Sequence, residues 1–412
     1  MLETRSPDDS IDFVPLLTIC CLITFGCYFA NAMRLPVMPL YARTFGVTTI
    51  QIGIINSVFY LMAGIFSLPS GFLSKKLGSK RLTVYGLILL ATASFLLFFS
   101  HSFFQLTILY LMLGMGVAAF GPPLMTLVAE IAPATHLGRA YGWYTTALFC
   151  GLSLGPGVGG VLGQWIGLRP VFIIASICIL LNLWAVIAFM PKQHRKQKKS
   201  FPNQTGMMID IKVLFKNHAL VGCWLITFGG NMVTGMFFTF LPLHALDQGI
   251  SVSQTGIIFL IQALVNAASR IPFGILSDRI AQRKYLVLVG VVLVGFTITG
   301  FGMATSFYQF IIAGIGLGMA HGLAFTSVGA LIAETVDKNL RGPAMGGYNT
   351  CLYLGMMTGS IVYGPIIEAI GFDRSFMLNG GLVAGFGVLF LGLMRGFLPP
   401  GKDKKLLFEN ES

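Results

Sequence analysis

The side chains able to do chemistry in this chain are few, and most sit inside long apolar stretches. Thr24, Tyr28 and Asn31 recur at four- and three-residue intervals, as do Asn56 with Tyr60, Thr227 with Asn231 and Thr234, Gln262 with Asn266, and Asn349 with Tyr353. On a helix this spacing places each group on one face. Polar groups in hydrocarbon are costly unless they face a cavity or one another. The five faces are therefore read as walls of a solute cavity, the alternative for any single residue being a bond to a neighbouring helix. His321 stands between Gly318 and Gly322. Its ordinary pKa of about 6.5 suits a proton carrier, and a hydrogen-bonded structural histidine is the equal alternative. Arg34 lies toward the far end of the first stretch and is read first as a side chain that snorkels to the membrane interface. Attraction of an anionic solute is the second reading. No Asp or Glu lies in the middle of any stretch.

These residues need membrane-crossing elements to hold them. Of 412 residues, 55% are hydrophobic and 10% charged, against about a quarter charged in soluble domains. Twelve apolar stretches run near 13–42, 50–71, 82–100, 103–130, 141–166, 170–190, 219–244, 253–275, 285–304, 307–334, 344–370 and 375–397. Each is long enough for one helix across about 30 Å of hydrocarbon. The net charge of +12 is one-sided. Lys75, Lys76, Lys80, Arg81, Arg139, the run from Lys192 to Lys199, Arg279, Arg283, Lys284, Lys338, Arg341 and the tail lysines share one side. Arg34, Arg43, Arg169 and Arg374 lie on the other. The positive-inside rule then puts both termini in the cytoplasm and leaves no reason to invoke nucleic acid. The seven cysteines lie in apolar stretches without metal or redox spacing and read as packing residues. No metal site, cofactor or clustered nucleophile is expected, so neither is an enzyme. The short ends argue against a receptor, and the first residues carry no cleavable leader signature.

The chain repeats itself. An offset of 203 residues pairs Leu22 through Gly26 with Leu225 through Gly229, Pro39 with Pro242, Gly53 with Gly256 and Pro69 with Pro272. An offset of 204 pairs Gln105 with Gln309, Glu130 with Glu334, Gly151 with Gly355 and Gly155 with Gly359. The expected organisation is a six-helix bundle over 1–190, a basic cytoplasmic linker over 191–217, a second bundle over 218–398 and a cytoplasmic tail over 399–412. Two parallel halves of this kind are the plan of a secondary transporter.

The loop after the second stretch contains Gly71, Ser74, Lys75, Lys76, Gly78, Lys80 and Arg81, and its repeat contains Gly274, Ser277, Asp278, Arg279, Arg283 and Lys284. Here the sequence resembles the major facilitator superfamily, whose signature at these two loops is G-x-L-[SA]-D-[RK]-x-G-[RK]-[RK]. Glycine there lets two helices approach closely, the acid can pair with a base or sit at a helix N-terminus, and the resemblance implies that the cluster latches the cytoplasmic side in the outward-facing state. Lys75 replaces the acid in the first copy, so the latch role passes to Asp278 and Arg279. Gly151, Gly155, Pro156, Gly159 and Gly160 match G-x-x-x-G-P-x-x-G-G, which resembles the family's antiporter motif. Glu130 and Glu334 close the fourth and tenth stretches near Arg139 and Arg341. An ion-pair network is the first reading for them, a part in proton movement the second.

The resemblance implies an all-α membrane protein of twelve helices in two pseudo-symmetric bundles, with the cavity lined by the first, fourth, seventh and tenth. Tyr28, Asn31, Arg34, Asn56, Tyr60, Asn231, Thr234, Gln262, Asn266, His321, Asn349 and Tyr353 are the candidate substrate residues. The implied activity is proton-coupled efflux of a small organic solute or drug; uptake by symport or facilitation of a sugar, organic acid or other metabolite is the alternative. The expected setting is the plasma (inner) membrane, as a monomer among lipid.

Overall fold

A computed structural model describes residues 9–133, 136–190, 213–280, 282–337 and 340–395. Most of the expected linker and all of the expected tail lie outside these residues. The first half holds α1 (Asp9–Ala32), α2 (Met38–Arg43), α3 (Thr49–Leu77), α4 (Ser79–Leu97), α5 (Phe103–Ile131), α6 (Leu137–Trp165) and α7 (Leu168–Phe189). The second holds α8 (His218–Asp247), α9 (Val252–Arg279), α10 (Arg283–Met303), α11 (Phe307–Thr335) and α12 (Arg341–Leu393). No strand occurs among the described residues, as expected where every backbone group must be satisfied within hydrocarbon.

Two departures from simple apolar runs have local causes. The first stretch is two helices rather than one, because Pro36 lacks an amide donor and Pro39 opens α2 at its first turn. In contrast α12 runs 53 residues, more than one membrane thickness, and turns at Gly371 with φ 83°. That dihedral is open to glycine and strained for other residues. With α12 counted as two, the long helices among the described residues make twelve membrane-length spans, as expected. Large apolar side chains on their outer faces, among them Trp165, Ile271, Phe296 and Val388, are exposed and fit lipid contact.

The repeated glutamines have a structural task. In α5 the Gln105 side chain accepts from the His101 amide at 2.8 Å while its own amide donates to the Ser102 hydroxyl at 3.4 Å. Gln309 accepts likewise from the amides of Thr305 and Ser306. The pairs Thr48 with Gln51 and Ser251 with Gln254 cap α3 and α9 reciprocally. Three helices, α3, α9 and α11, therefore start with a capping box, α5 has a variant in which Gln105 reaches the amide of His101 one residue earlier, and the neutral Gln completes each without adding charge.

Contacts divide the chain into two compact units. Unit 1 comprises Met1–Gln197, Phe238–Leu264 and Ser360–Ala369; unit 2 comprises Lys198–Phe237, Val265–Gly359 and Ile370–Ser412. Within unit 1, glycines set the helix spacing. A methyl at Gly151 would meet the Phe25 carbonyl oxygen at 2.6 Å, one at Gly155 the Ala32 Cβ at 2.8 Å, and one at Gly159 the Met33 carbonyl carbon at 2.6 Å. The four-residue ridge of α6 thus lies directly on the α1 backbone. On another face, Gly160 stands against Gly256 (2.8 Å to its Cα) and Gly256 against the Pro156 carbonyl oxygen (2.6 Å). The repeat reproduces this crossing between α3 and α12: Gly53 abuts the Ser360 carbonyl, and Gly364 approaches Ile50 Cα at 2.9 Å. Arg43 Nη1 with Asp247 Oδ1 at 2.7 Å, and the Ile50 amide donating to Glu368 at 3.0 Å, flank the same region. In unit 2, Gly355 and Gly359 lie on the α8 backbone at Phe228 and Met232, as Gly151 and Gly155 do on α1.

Among the described residues nothing lies within 4 Å of a methyl built on Gly71, where close helix approach was expected, and at Gly274 only the Thr326 methyl does, at 3.8 Å. Forcing a methyl into packed backbone costs about 1–3 kcal/mol. Gly256→Ala and Gly53→Ala are therefore expected to lower the thermal unfolding midpoint of the purified protein clearly. Gly142→Ala, where a methyl meets open space, should leave the midpoint unchanged or slightly raised.

Candidate functional site

In unit 1 the members of the expected polar face of α1 differ in how they are satisfied. Thr24 donates to the Cys20 carbonyl at 2.7 Å, a bond within its own helix. Tyr28 packs its ring on Phe120 at 5.1 Å and points its hydroxyl at Gly121. Asn56 donates to the Ile52 carbonyl at 3.3 Å and is buried, as are Tyr60 and Gln262. Threonine and asparagine that bond back to residue i−4 have met their own need within hydrocarbon.

Asn31 and Arg34 are different. The Asn31 Oδ1 and Arg34 Nη1 atoms are buried without a hydrogen-bond partner. Arg34 is 5% exposed, so the expected snorkelling does not occur. Its guanidinium lies 4.9 Å from the Phe59 ring centre and 5.2 Å from that of Tyr110. Phe59 is ten residues into α3 and Tyr110 seven into α5, about 15 and 10 Å along those helices. The side chain thus turns inward from the end of α1, drawn by two π faces that attract a cation. Arginine keeps its charge in proteins, and a charge at membrane depth costs about 2.5–3.5 kcal/mol on insertion scales. Two ring faces offset part of that, and Nη1 is left without an acceptor.

In unit 2, Thr227, Asn231 and Thr234 bond to the carbonyls of Cys223, Thr227 and Gly230, each four residues back. His321 is buried, with its ring 5.3 Å from Phe325. Beside it Gly322 packs on Asn266 and Ser269 of α9. Asn266 accepts from Arg270 Nε at 3.0 Å, and Arg270 lies within electrostatic reach of His321 and Tyr348. Asn349 is exposed and Tyr353 half-buried on α12. Arg270 and Tyr348 stand outside the faces expected from spacing, which were built on other residues. A cation nine residues inside α9, about 14 Å from its last residue, was itself the available signal.

Charges at one end of unit 2 form a network. Arg283 donates through Nη1 to Glu334 at 2.5 Å, through Nη2 to Asp278 at 2.8 Å and through Nε to the Ser277 carbonyl at 3.0 Å. The partner of Asp278 is thus Arg283 rather than its neighbour Arg279, which is exposed. Backbone rotation of 100° per residue explains this: adjacent residues on a helix point apart, whereas Arg283 opens α10 and faces back. Arg341 donates to the Ala333 carbonyl at 3.2 Å. A cleft lined by Asn217, Glu334, Asp337 and Arg341 opens beside the network. In unit 1, Glu130 ends α5 and Arg139 lies exposed in the first turn of α6. No group of three or more His, Cys, Asp or Glu able to hold a metal occurs among the described residues.

The glycine-spaced helices, the duplicated caps and the buried polar faces can be compared with known proteins. A family model described as Major Facilitator Superfamily matches residues 20–253 and 232–411. An uncharacterised MFS-type transporter of Methanocaldococcus jannaschii is 24% identical, over 87% of this chain and 92% of its own. The multidrug resistance protein MdtG of Proteus mirabilis is 25% identical, over 88% and 92%. Among solved structures, the nucleoside transporter NupG superposes with a TM-score of 0.81 at 14% identity, over 92% of this chain and 99% of its own. A bacterial homologue of the human lysosomal transporter Spinster gives 0.79 at 15%, over 93% and 97%. Matched across nearly its whole length, the chain belongs to the major facilitator superfamily and is an integral membrane transporter.

Proposed function

We propose that this transporter exports a small organic solute in exchange for protons, by alternating access, as a monomer in the plasma (inner) membrane with both termini cytoplasmic. The observation that carries this reading is the packing of α6. One face of the antiporter-like motif, at Gly151, Gly155 and Gly159, lies on α1; Pro156 and Gly160 lie against Gly256 of α9. A helix wedged this tightly between two others moves as a rigid lever rather than flexing. The relatives named multidrug resistance protein support efflux of organic solutes.

In this account each unit contributes its own contacts to the solute, from the substrate candidates given above together with Arg270 and Tyr348 in unit 2. The crossings α6 with α9 and α3 with α12 hold the outer side shut. The Arg43–Asp247 pair and the Glu368 contact add small increments there, since exposed ion pairs contribute about 0–1 kcal/mol. Opening the outer side needs both crossings to part, and a solute or proton favours that only by binding the open form better. With no carboxylate at span centre, His321 and the inner glutamates Glu130 and Glu334 are the proton-carrying candidates. That same lack of a central acid favours the second reading, uncoupled facilitation of a metabolite.

Inside-out vesicles containing the protein should accumulate an organic solute such as a drug-like dye when their interior is acid, and lose it when nigericin collapses the gradient. Transport that ignores the gradient would favour facilitation. At the inner network, Arg283→Gln removes two charged bonds and is expected to destabilise the protein by about 2 kcal/mol and slow transport. Arg279→Gln should leave both near wild type, as measured by thermal unfolding and vesicle uptake.

A further inference from the structure

The Arg34 side chain is a cation built into unit 1 with nothing of its own to neutralise it. Among the described residues its Nη1 has no hydrogen-bond partner, and that atom is sealed from solvent. Its two neighbours, Phe59 and Tyr110, engage the charge through their π faces and leave the in-plane donors at Nη1 without an acceptor. Asn31, one turn earlier on the same helix end, adds a second buried atom without a partner. Its amide presents a donor instead if turned over. Tyr60 lies within electrostatic reach of the guanidinium as well. No Asp or Glu lies in the middle of any apolar stretch of the sequence to serve as counter-ion. An unpaired arginine edge matches a carboxylate, phosphonate or sulfonate, which accepts two parallel N–H bonds. The surrounding rings match an apolar or aromatic body attached to it.

We infer that the solute carried by this protein is an organic anion with an apolar body, and that Arg34 binds its anionic group. This deepens the transport reading and rests on it. When the anion docks, the guanidinium gains the acceptors the fold withholds, and the charge carried through the membrane layer falls by one. A buried group of this kind lowers stability in the empty protein in return for recognition.

The test uses the purified full-length protein in neutral detergent. Benzoate, benzenesulfonate and benzylphosphonate are compared with benzamide, benzyl alcohol and benzylammonium, which share the ring and differ in charge. The anions are expected to raise the unfolding midpoint saturably by several degrees, and the neutral and cationic probes not to do so. Arg34→Gln should abolish the response and Arg34→Lys retain it in part. Empty Arg34→Gln protein should unfold no earlier than wild type, because the unpaired charge is gone. Equal responses to all six probes, or anion responses that survive Arg34→Gln, would overturn the inference. So would a large loss of stability in empty Arg34→Gln, which would mark a purely structural arginine. An anionic lipid offers the same chemistry. If phosphatidylglycerol nanodiscs stabilise wild type but not Arg34→Gln relative to phosphatidylcholine, while the free anions do nothing, the site belongs to lipid and the inference fails. Uptake by reconstituted vesicles separates this from failure of the transport reading. Carriage of only neutral or cationic solutes refutes the anion assignment alone, whereas movement of no solute of any charge refutes transport.

Discussion

Everything in this fold depends on how closely bare backbone approaches bare backbone. Lipid tails are as apolar as leucine, so helices in a membrane gain little by hiding apolar side chains from their surroundings and must associate through close packing. Glycine makes that possible along α6, where residues 151, 155 and 159 sit on the α1 backbone, and again where 160 meets 256. Each contact places carbonyl dipoles and Cα atoms within van der Waals range of a neighbouring helix. Because such interfaces are well packed and not continuously deformable, they are either made or broken. A transporter needs that property if it is to spend its time in two states rather than in a continuum.

The second constraint is that hydrocarbon offers no hydrogen bonds. Most polar side chains in the spans answer it alone, by bonding to the carbonyl one turn back, as Thr24, Asn56, Thr227 and Asn231 do. Those residues are compatible with a cavity wall but exert little pull on a solute, because a ligand must displace a bond already made. The groups left with unmet demand are therefore the informative ones. Asn31 and Arg34 in unit 1 fall in that class. In unit 2, Arg270 is tied to Asn266 beside His321, a polar patch that the spacing of neutral residues alone did not reveal.

The architecture was legible in the sequence to the extent that it follows from composition and period. Twelve apolar runs, the duplication and the α6 glycine motif each have a direct counterpart. The matched glutamines at 105 and 309 were legible as a repeat, though their meaning as caps required the Ser or Thr three residues earlier to be read with them. Other features depend on which way a side chain turns, and a linear pattern does not encode that. Arg34 lies near a helix end and by position belongs at the interface, yet two aromatic rings from α3 and α5 draw it inward. Asp278 has Arg279 beside it in sequence and takes Arg283 in space. Gly71 carries a family motif and has open space around it. Each of these was decided by a partner far along the chain or by the direction of a helix face.

In the transport cycle proposed above, the crossing of α6 with α9 parts at every turn. A methyl built at Gly157 lies 3.3 Å from Leu260 Cβ, close to the separation of about 3.5–4.5 Å that a disulfide spans. The direct measurement replaces the native cysteines, introduces Gly157→Cys with Leu260→Cys, and follows solute uptake by reconstituted vesicles before and after oxidation. The oxidised pair is expected to stop transport, and reduction to restore it. Undiminished transport by fully cross-linked protein would contradict that cycle.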